Sequence, residues 1–307
     1  MSTLELQNHV TFKNVLVATD FSDVSKRALE WAAGVTDGDH GQVFVLHVIP
    51  SEARLPVPLD PLLESLERSF SEARHKLEDF ASSGVLAHAR HQEILETGPV
   101  WDAVADIIQH NQIDLLVVGT HGRTGLRKFM LGSVAEELFR RAPCPVLTIG
   151  PAVEQSREIN RVLFATDFGA SSAQALPYAE DFANKSGGEL TLLNLVSPQP
   201  VEYVGPFWYP GNDVLEVEEA NRRNAMKKLQ DLVPANSGLR CKVGHVVDIQ
   251  VPPVGILNCA AQRDADLIVM GVKKSNAGAA RFAAHAPWAT AYEVVCRAHC
   301  PVLTVRS

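Results

Sequence analysis

The apolar residues of this chain fall into two rhythms. Short, nearly unbroken runs rich in Val, Leu and Ile recur at 14–19, 42–49, about 86–95, 114–119 and 145–149, and such runs read as strands buried on both faces. Between them the apolar positions open to helical spacing. Val24, Ala28, Trp31, Ala32 and Val35 share one stripe of Ser22–Val35, with Ser22 and Ser25 placed to cap its start. The same spacing predicts helices over Leu62–Phe80, Val100–His110 and Ser133–Arg141. Strand and helix therefore alternate, which implies a parallel sheet covered on both faces. The second half repeats the order, with strands near 161–166, 190–196, 240–247, 266–271 and 301–305.

The repetition is literal. Val15-Leu-Val-Ala-Thr-Asp-Phe21 returns as Val162-Leu-Phe-Ala-Thr-Asp-Phe168, Asp114-Leu-Leu-Val-Val-Gly119 as Asp266-Leu-Ile-Val-Met-Gly271, and Cys144-Pro-Val-Leu-Thr-Ile149 as Cys300-Pro-Val-Leu-Thr-Val305. The separation grows from 147 to 152 to 156 residues, so two copies of one domain differ by short loop insertions. Domains are expected at 12–150 and 159–307, joined through the polar stretch Gly150 to Asn160. The expected fold class is α/β: two tandem open parallel five-stranded sheets with helices on both faces.

Composition narrows the partners. A chain of 307 residues has room for two domains with separate cores. The net charge of −8, mixed in sign along the chain, leaves no general basic face for nucleic acid. No stretch of about 18 uncharged apolar residues suits a membrane, and Met1 to Lys13 has no signal-peptide core. The expected location is cytoplasmic. Five cysteines, an odd number without framework spacing, argue for reduced thiols. Cys296, His299 and Cys300 offer soft ligands, but a fourth is not in sight and Cys300 simply opens a core strand, so no protein-held metal is expected.

Open parallel sheets take their ligands beyond the carboxyl ends of the strands, where the strand order reverses. The first run ends at Asp20 and the fourth at Gly119, where "GTHGRTGLRKFMLGS" follows. Two residues separate Gly119 from Gly122, and nine more lead to Gly132-Ser133 at a helix start. Glycines admit close approach of the main chain, and the N–H groups of a helix start attract anions. Ser133 adds a hydroxyl, and Arg123, Arg127 and Lys128 add charge-assisted donors. Taken alone, the glycines fit a simple turn equally well, and Asp20 fits a cap for the helix at Ser22.

These residues, with Leu46-His-Val48 and Pro145-Val-Leu-Thr-Ile149, resemble the universal stress protein family in its ATP-binding branch. That resemblance implies a Rossmann-like, HUP-type fold, a regulatory or stress-response role, and an adenine nucleotide, ATP with Mg²⁺, in the first copy. Under it Ala18, Thr19 and Asp20 would lie beside the nucleotide, and Val48 would meet the adenine through its backbone. Gly119 and Gly122 would line the sugar-phosphate path with Arg123 beside them. Gly132, Ser133 and the N–H of Val134 would hold the phosphates, with Mg²⁺ bridging them. No catalytic residue is assigned: His121 reads as a loop bystander and His47 as a satisfied core histidine. The P-loop ending in Lys-Ser/Thr is missing, so an enzyme is not expected. Slow ATP hydrolysis or phosphoryl transfer is one alternative, and a nucleotide-free protein-interaction module is another.

The second copy departs from the signature. Counting back from Cys144 and Cys300, Gly132 aligns with Trp288 and Ser133 with Ala289, while Lys274 replaces Gly122 and Asp167 is kept. An indole where phosphate needs bare backbone predicts that this copy does not hold ATP in the same manner. Lys273, Lys274 and Arg281 read as a solvated loop, with a different anion as the alternative. "PVEYVGPFWYPGND", from Pro200 to Asp213, reads either as a stacking lid or as packing against a neighbouring domain or subunit. The final strands resemble the edges through which family domains pair, so the two copies are expected to pair within the chain, with a homodimer also open.

Overall fold

Alternating strand and helix build the same five-stranded unit twice. The structure, a computed structural model, describes residues 10–49, 59–82, 84–87, 89–120, 130–154, 158–198, 212–234, 236–273 and 288–306. In the first unit, Thr11–Arg157, the order is β1 (Asn14–Ala18), α1 (Asp23–Val35), β2 (Gln42–Ile49), α2 (Leu59–Ala81), β3 (Arg90–Thr97), α3 (Val100–His110), β4 (Leu115–Gly119), α4 (Ser133–Arg141) and β5 (Val146–Ile149). Its sheet runs β3-β2-β1-β4-β5, and every pairing is parallel. The second unit contains β6 (Arg161–Ala165), α5 (Ala170–Ser186), β7 (Glu189–Val196), α6 (Asn212–Leu232), β8 (Lys242–Ile249), α7 (Pro252–Gln262), β9 (Leu267–Val272), α8 (Ala289–Arg297) and β10 (Val302–Arg306). Its sheet runs β8-β7-β6-β9-β10, again all parallel. The expected α/β class, with two tandem parallel sheets, is the one found.

Central strands carry continuous apolar runs because both of their faces are covered. Val15, Leu16 and Val17 are fully buried, as are Leu115, Leu116 and Val117. On one face, α3 and α4 lay Val104, Ile108 and Leu138 against Leu16, Phe44, Leu46 and Val118. On α1 the buried stripe is Ala28, Leu29, Trp31 and Ala32, and Ser22 caps its start by accepting the Ser25 N–H at 3.3 Å. The one sizeable departure is the third strand, expected at about 86–95 and found at Arg90–Thr97. Leu86, the buried first residue of the expected range, belongs to the turns before the strand. Arg90 to Glu93 are exposed, so this edge strand lacks the apolar signature that marks the central ones.

The aspartate that opens the fourth strand's motif has a bracing role. Asp114 Oδ2 accepts the N–H groups of Lys13 at 2.8 Å and Asn14 at 2.9 Å, fastening the beginning of β1. Asp266 repeats this with the N–H groups of Asn160 at 3.0 Å and Arg161 at 2.8 Å. Charged acceptors make the stronger main-chain bonds, so Asp114→Ala is expected to lower the stability of the first unit by about 2 kcal/mol. A urea titration read as an earlier midpoint at unchanged slope checks this.

The five cysteines, all among the described residues, form no disulfide. Burial pushes the Cys144 thiol up to about 11. Among the described residues, no helix is long and apolar enough to cross a membrane.

Candidate functional site

In the first unit β1 lies between β2 and β4, so the chain leaves its carboxyl end toward one neighbour and returns beside the other. Such a reversal opens a crevice above the strand ends. A cleft of about 450 Å³ occupies it, within the range of small-molecule sites. Leu46, Val48, Val100, Val118 and Leu138 supply its apolar walls. The turn after β1 and the start of α4 supply its polar ones, through Thr19, Asp20, Ser22, Gly132 and Ser133.

The turn is tightly specified. Thr19 still donates its N–H to the Leu46 carbonyl at 2.9 Å, after which Phe21 takes the left-handed conformation at φ 63°. A bulky residue there is an outlier, costing about 1–3 kcal/mol. Local bonds hold it. Phe21 N–H donates to Thr19 Oγ1 at 2.9 Å, and Ser22 N–H and Ser25 Oγ donate to Asp20 Oδ1 at 3.0 and 3.1 Å. The Phe21 ring lies 4.2 Å from the His47 ring and meets Phe80 edge-on at 5.8 Å. Asp20 therefore braces the helix start, and the same residue lines the cleft. His47 Nδ1 is 2.8 Å from the Thr19 carbonyl; a carbonyl can only accept, so this nitrogen carries the proton.

Val48 enters through its main chain. Backbone groups two residues apart in a strand point the same way. The Leu46 carbonyl faces β1, where it takes the Thr19 N–H, and the Ile49 carbonyl faces β3, where it takes the Gly98 N–H at 3.1 Å. Val48 N–H and C=O thus face the gap where β1 has ended.

Across the cleft, Gly132 caps α4 without any side-chain bond, and its own N–H donates to the Thr120 carbonyl at 2.9 Å. The N–H groups of Ser133 and Val134 fall in the first helical turn, where no intrahelical acceptor exists. Both residues line the cleft, so the positive end of the α4 dipole faces it. Gly119 lines it too, and α1 crowds a side chain there: a Cβ would lie 3.0 Å from Val24 Cγ1 and 3.3 Å from Ser25 N.

Ala18, Thr19, Asp20, Val48, Gly119, Gly132, Ser133 and Val134 thus converge on one cleft. Gly122 and Arg123 lie outside the described residues, as do His121, Arg127 and Lys128. Sequence reasoning missed Ser22, Ser25 and His47 as lining residues, together with Val100 and Leu138. The apolar stripes of α3 and α4 carried the signal for the last two.

The second unit keeps the turn and changes the helix start. Phe168 has φ 59°, and its N–H donates to Thr166 Oγ1 at 2.9 Å. Asn194 Nδ2 donates to the Thr166 carbonyl at 2.8 Å, in the place of His47. Asp167 Oδ1 accepts from Ser172 Oγ at 2.6 Å and Gly169 N–H at 2.8 Å, and Lys273 Nζ stands 4.0 Å from Oδ2. Partial burial alone would raise the Asp167 pKa; the bonds from Ser172 and Gly169 and the charge of Lys273 outweigh it and hold the carboxyl below its usual range. At the α8 start Trp288 occupies the position of Gly132, 8% exposed and edge-on to Tyr292 at 5.3 Å. Lys274, Arg281 and the aromatic residues Tyr203, Phe207, Trp208 and Tyr209 lie outside the described residues.

Known proteins match both halves of the chain. A sequence model of the universal stress protein family fits residues 11–150 and again 158–306. Universal stress protein MJ0531 of Methanocaldococcus jannaschii is 32% identical over 143 residues, which is 45% of this chain and 82% of that protein. Universal stress protein A homolog 1 of Coxiella burnetii is 32% identical over 143 residues, covering 45% of this chain and 96% of that protein. A solved universal stress protein from Archaeoglobus fulgidus, 20% identical, covers 95% of this chain and 98% of its own with a TM-score of 0.63. It shares the fold.

Proposed function

Since the chain belongs to the universal stress protein family in both halves, we propose that it is an adenine-nucleotide-binding member with a regulatory or stress-response role, holding ATP in the first unit. One observation carries the reading: aliphatic walls, strand main chain and a helix start capped by a glycine line a single cleft at the strand-order reversal. Val48 main chain would meet the edge of the base, between the aliphatic side chains. Asp20 would lie by the ribose. The N–H groups of Ser133 and Val134, with the Ser133 hydroxyl, would receive the phosphates. Mg²⁺ would sit on phosphate oxygens, with Asp20 as the protein carboxylate within the same cleft.

Mass spectrometry of the denatured, purified protein tests for carried nucleotide, and equilibrium titration with labelled ATP tests the site. Ser133→Ala is expected to weaken binding about fivefold by removing one hydroxyl donor to a charged ligand. Equal affinity of wild type and variant removes Ser133 from the site, and no binding by wild type overturns the proposal. Phosphate release under single-turnover conditions separates holding the nucleotide from hydrolysing it.

A further inference from the structure

The two units end their first strands in identical residues, Ala18-Thr-Asp-Phe21 and Ala165-Thr-Asp-Phe168, and meet one geometric problem there. In a parallel ladder a residue that donates to one neighbour accepts from the residue two further along the same partner. Thr19 N–H donates to the Leu46 carbonyl, so a continuing ladder would bring Val48 N–H to the Thr19 carbonyl. Among the described main-chain hydrogen bonds, Val48 N–H makes none to it. The carbonyl is met by His47 Nδ1–H at 2.8 Å. In the second unit Thr166 N–H donates to Leu193, and the Thr166 carbonyl is met by Asn194 Nδ2 at 2.8 Å, where the ladder would have brought the N–H of Leu195. An imidazole and a carboxamide do the same work, so the shared requirement is a side-chain N–H donor at this height on the second strand. A ring face or a particular volume is not shared between them.

We propose that His47 is a positioning residue: by occupying the Thr19 carbonyl it releases the Val48 N–H into the cleft as a hydrogen-bond donor for a ring nitrogen of the bound base. The inference rests on the nucleotide reading of that cleft. Without the side-chain donor, the Thr19 carbonyl reclaims Val48 N–H and the ladder closes by one more rung, withdrawing the donor from the ligand. A buried carbonyl does not stay unmet when an amide stands within reach.

The test compares wild type with His47→Asn, which keeps a donor, and with His47→Leu and His47→Ala, which do not, in the full-length chain. Labelled ATP gives affinity, and hydrogen exchange of the Val48 amide, measured without nucleotide, gives the rung. His47→Asn is expected to stay within about threefold of wild type, whereas both donor-less variants weaken binding about tenfold, one charge-neutral hydrogen bond's worth. In the donor-less variants the Val48 amide is expected to exchange more slowly than in wild type. A loss of packing would make it exchange faster. Wild-type affinity in His47→Leu, or unchanged or faster Val48 exchange there, overturns the inference. If His47→Leu does not fold, His47→Ala decides it by the same two readings. If wild type binds no nucleotide, the functional proposal falls, while Val48 exchange still shows whether His47 holds the rung open.

Discussion

Gly132→Trp is expected to weaken ATP binding by the first unit roughly 100-fold or more, equivalent to about 2.7 kcal/mol of binding energy. The substitution writes the second unit's residue into the first. At the α8 start Trp288 is accommodated as the residue before the helix, with its ring on Tyr292. The corresponding α4 position lines the cleft, and the residue one turn further on is Glu136. An indole there lacks the aromatic residue one turn on that Trp288 has, and would stand where the phosphates approach Ser133 and Val134. Titration with labelled ATP, alongside thermal unfolding to show that the variant folds, checks this. Near-wild-type affinity in a folded Gly132→Trp protein would move the phosphates away from the α4 start.

Gly271→Ala is expected to destabilise the second unit by at least about 3 kcal/mol, whereas Gly119→Ala costs the first unit about 1 kcal/mol. The two glycines occupy the same place in the repeat but face different neighbours. A methyl group at Gly271 would run into the main chain of Ser171 and Ser172, which cannot yield without shifting the whole start of α5. At Gly119 the nearest atom is Val24 Cγ1 at 3.0 Å, the end of a side chain that can rotate or lean away. Chemical denaturation followed by probes specific to each unit measures both changes. Equal losses would show that α5 gives way as readily as a valine methyl group does.

The sequence made the architecture legible where burial is two-sided. Central strands such as Leu115–Gly119 declare themselves by unbroken apolar runs, and helices such as α3 by one apolar stripe. The third strand was misplaced because its exposed residues carry no such mark. The candidate site was legible as residue types at a known spacing, since glycine and serine before a helix start imply accessible N–H groups. What could not be read was the reason for each residue. Gly119 reads as lining a ligand path or as turning the chain, and only the structure shows that α1 also crowds the place of its side chain. Asp20 offered two roles that the sequence treated as rivals, yet one oxygen serves the turn while the residue still lines the cleft. His47 gave no hint of its bond to Thr19, because that depends on where the neighbouring strand stops. Asp114 and Asp266 were visible as repeated letters, but their partners lie about a hundred residues away in sequence.

That last separation bears on how each unit assembles. The carboxylate of Asp114 secures an amide 100 residues earlier, and that of Asp266 one 105 residues earlier. The first strand of each unit is central, so its second neighbour emerges only after the intervening helices and strands have been synthesised. Contacts of such high sequence separation make folding slow, because chain closure must be achieved before the contacts reward it. Until β4 or β9 arrives, one side of the innermost strand stays uncovered, and a nascent chain stalled at that stage presents an open hydrogen-bonding edge that invites aggregation.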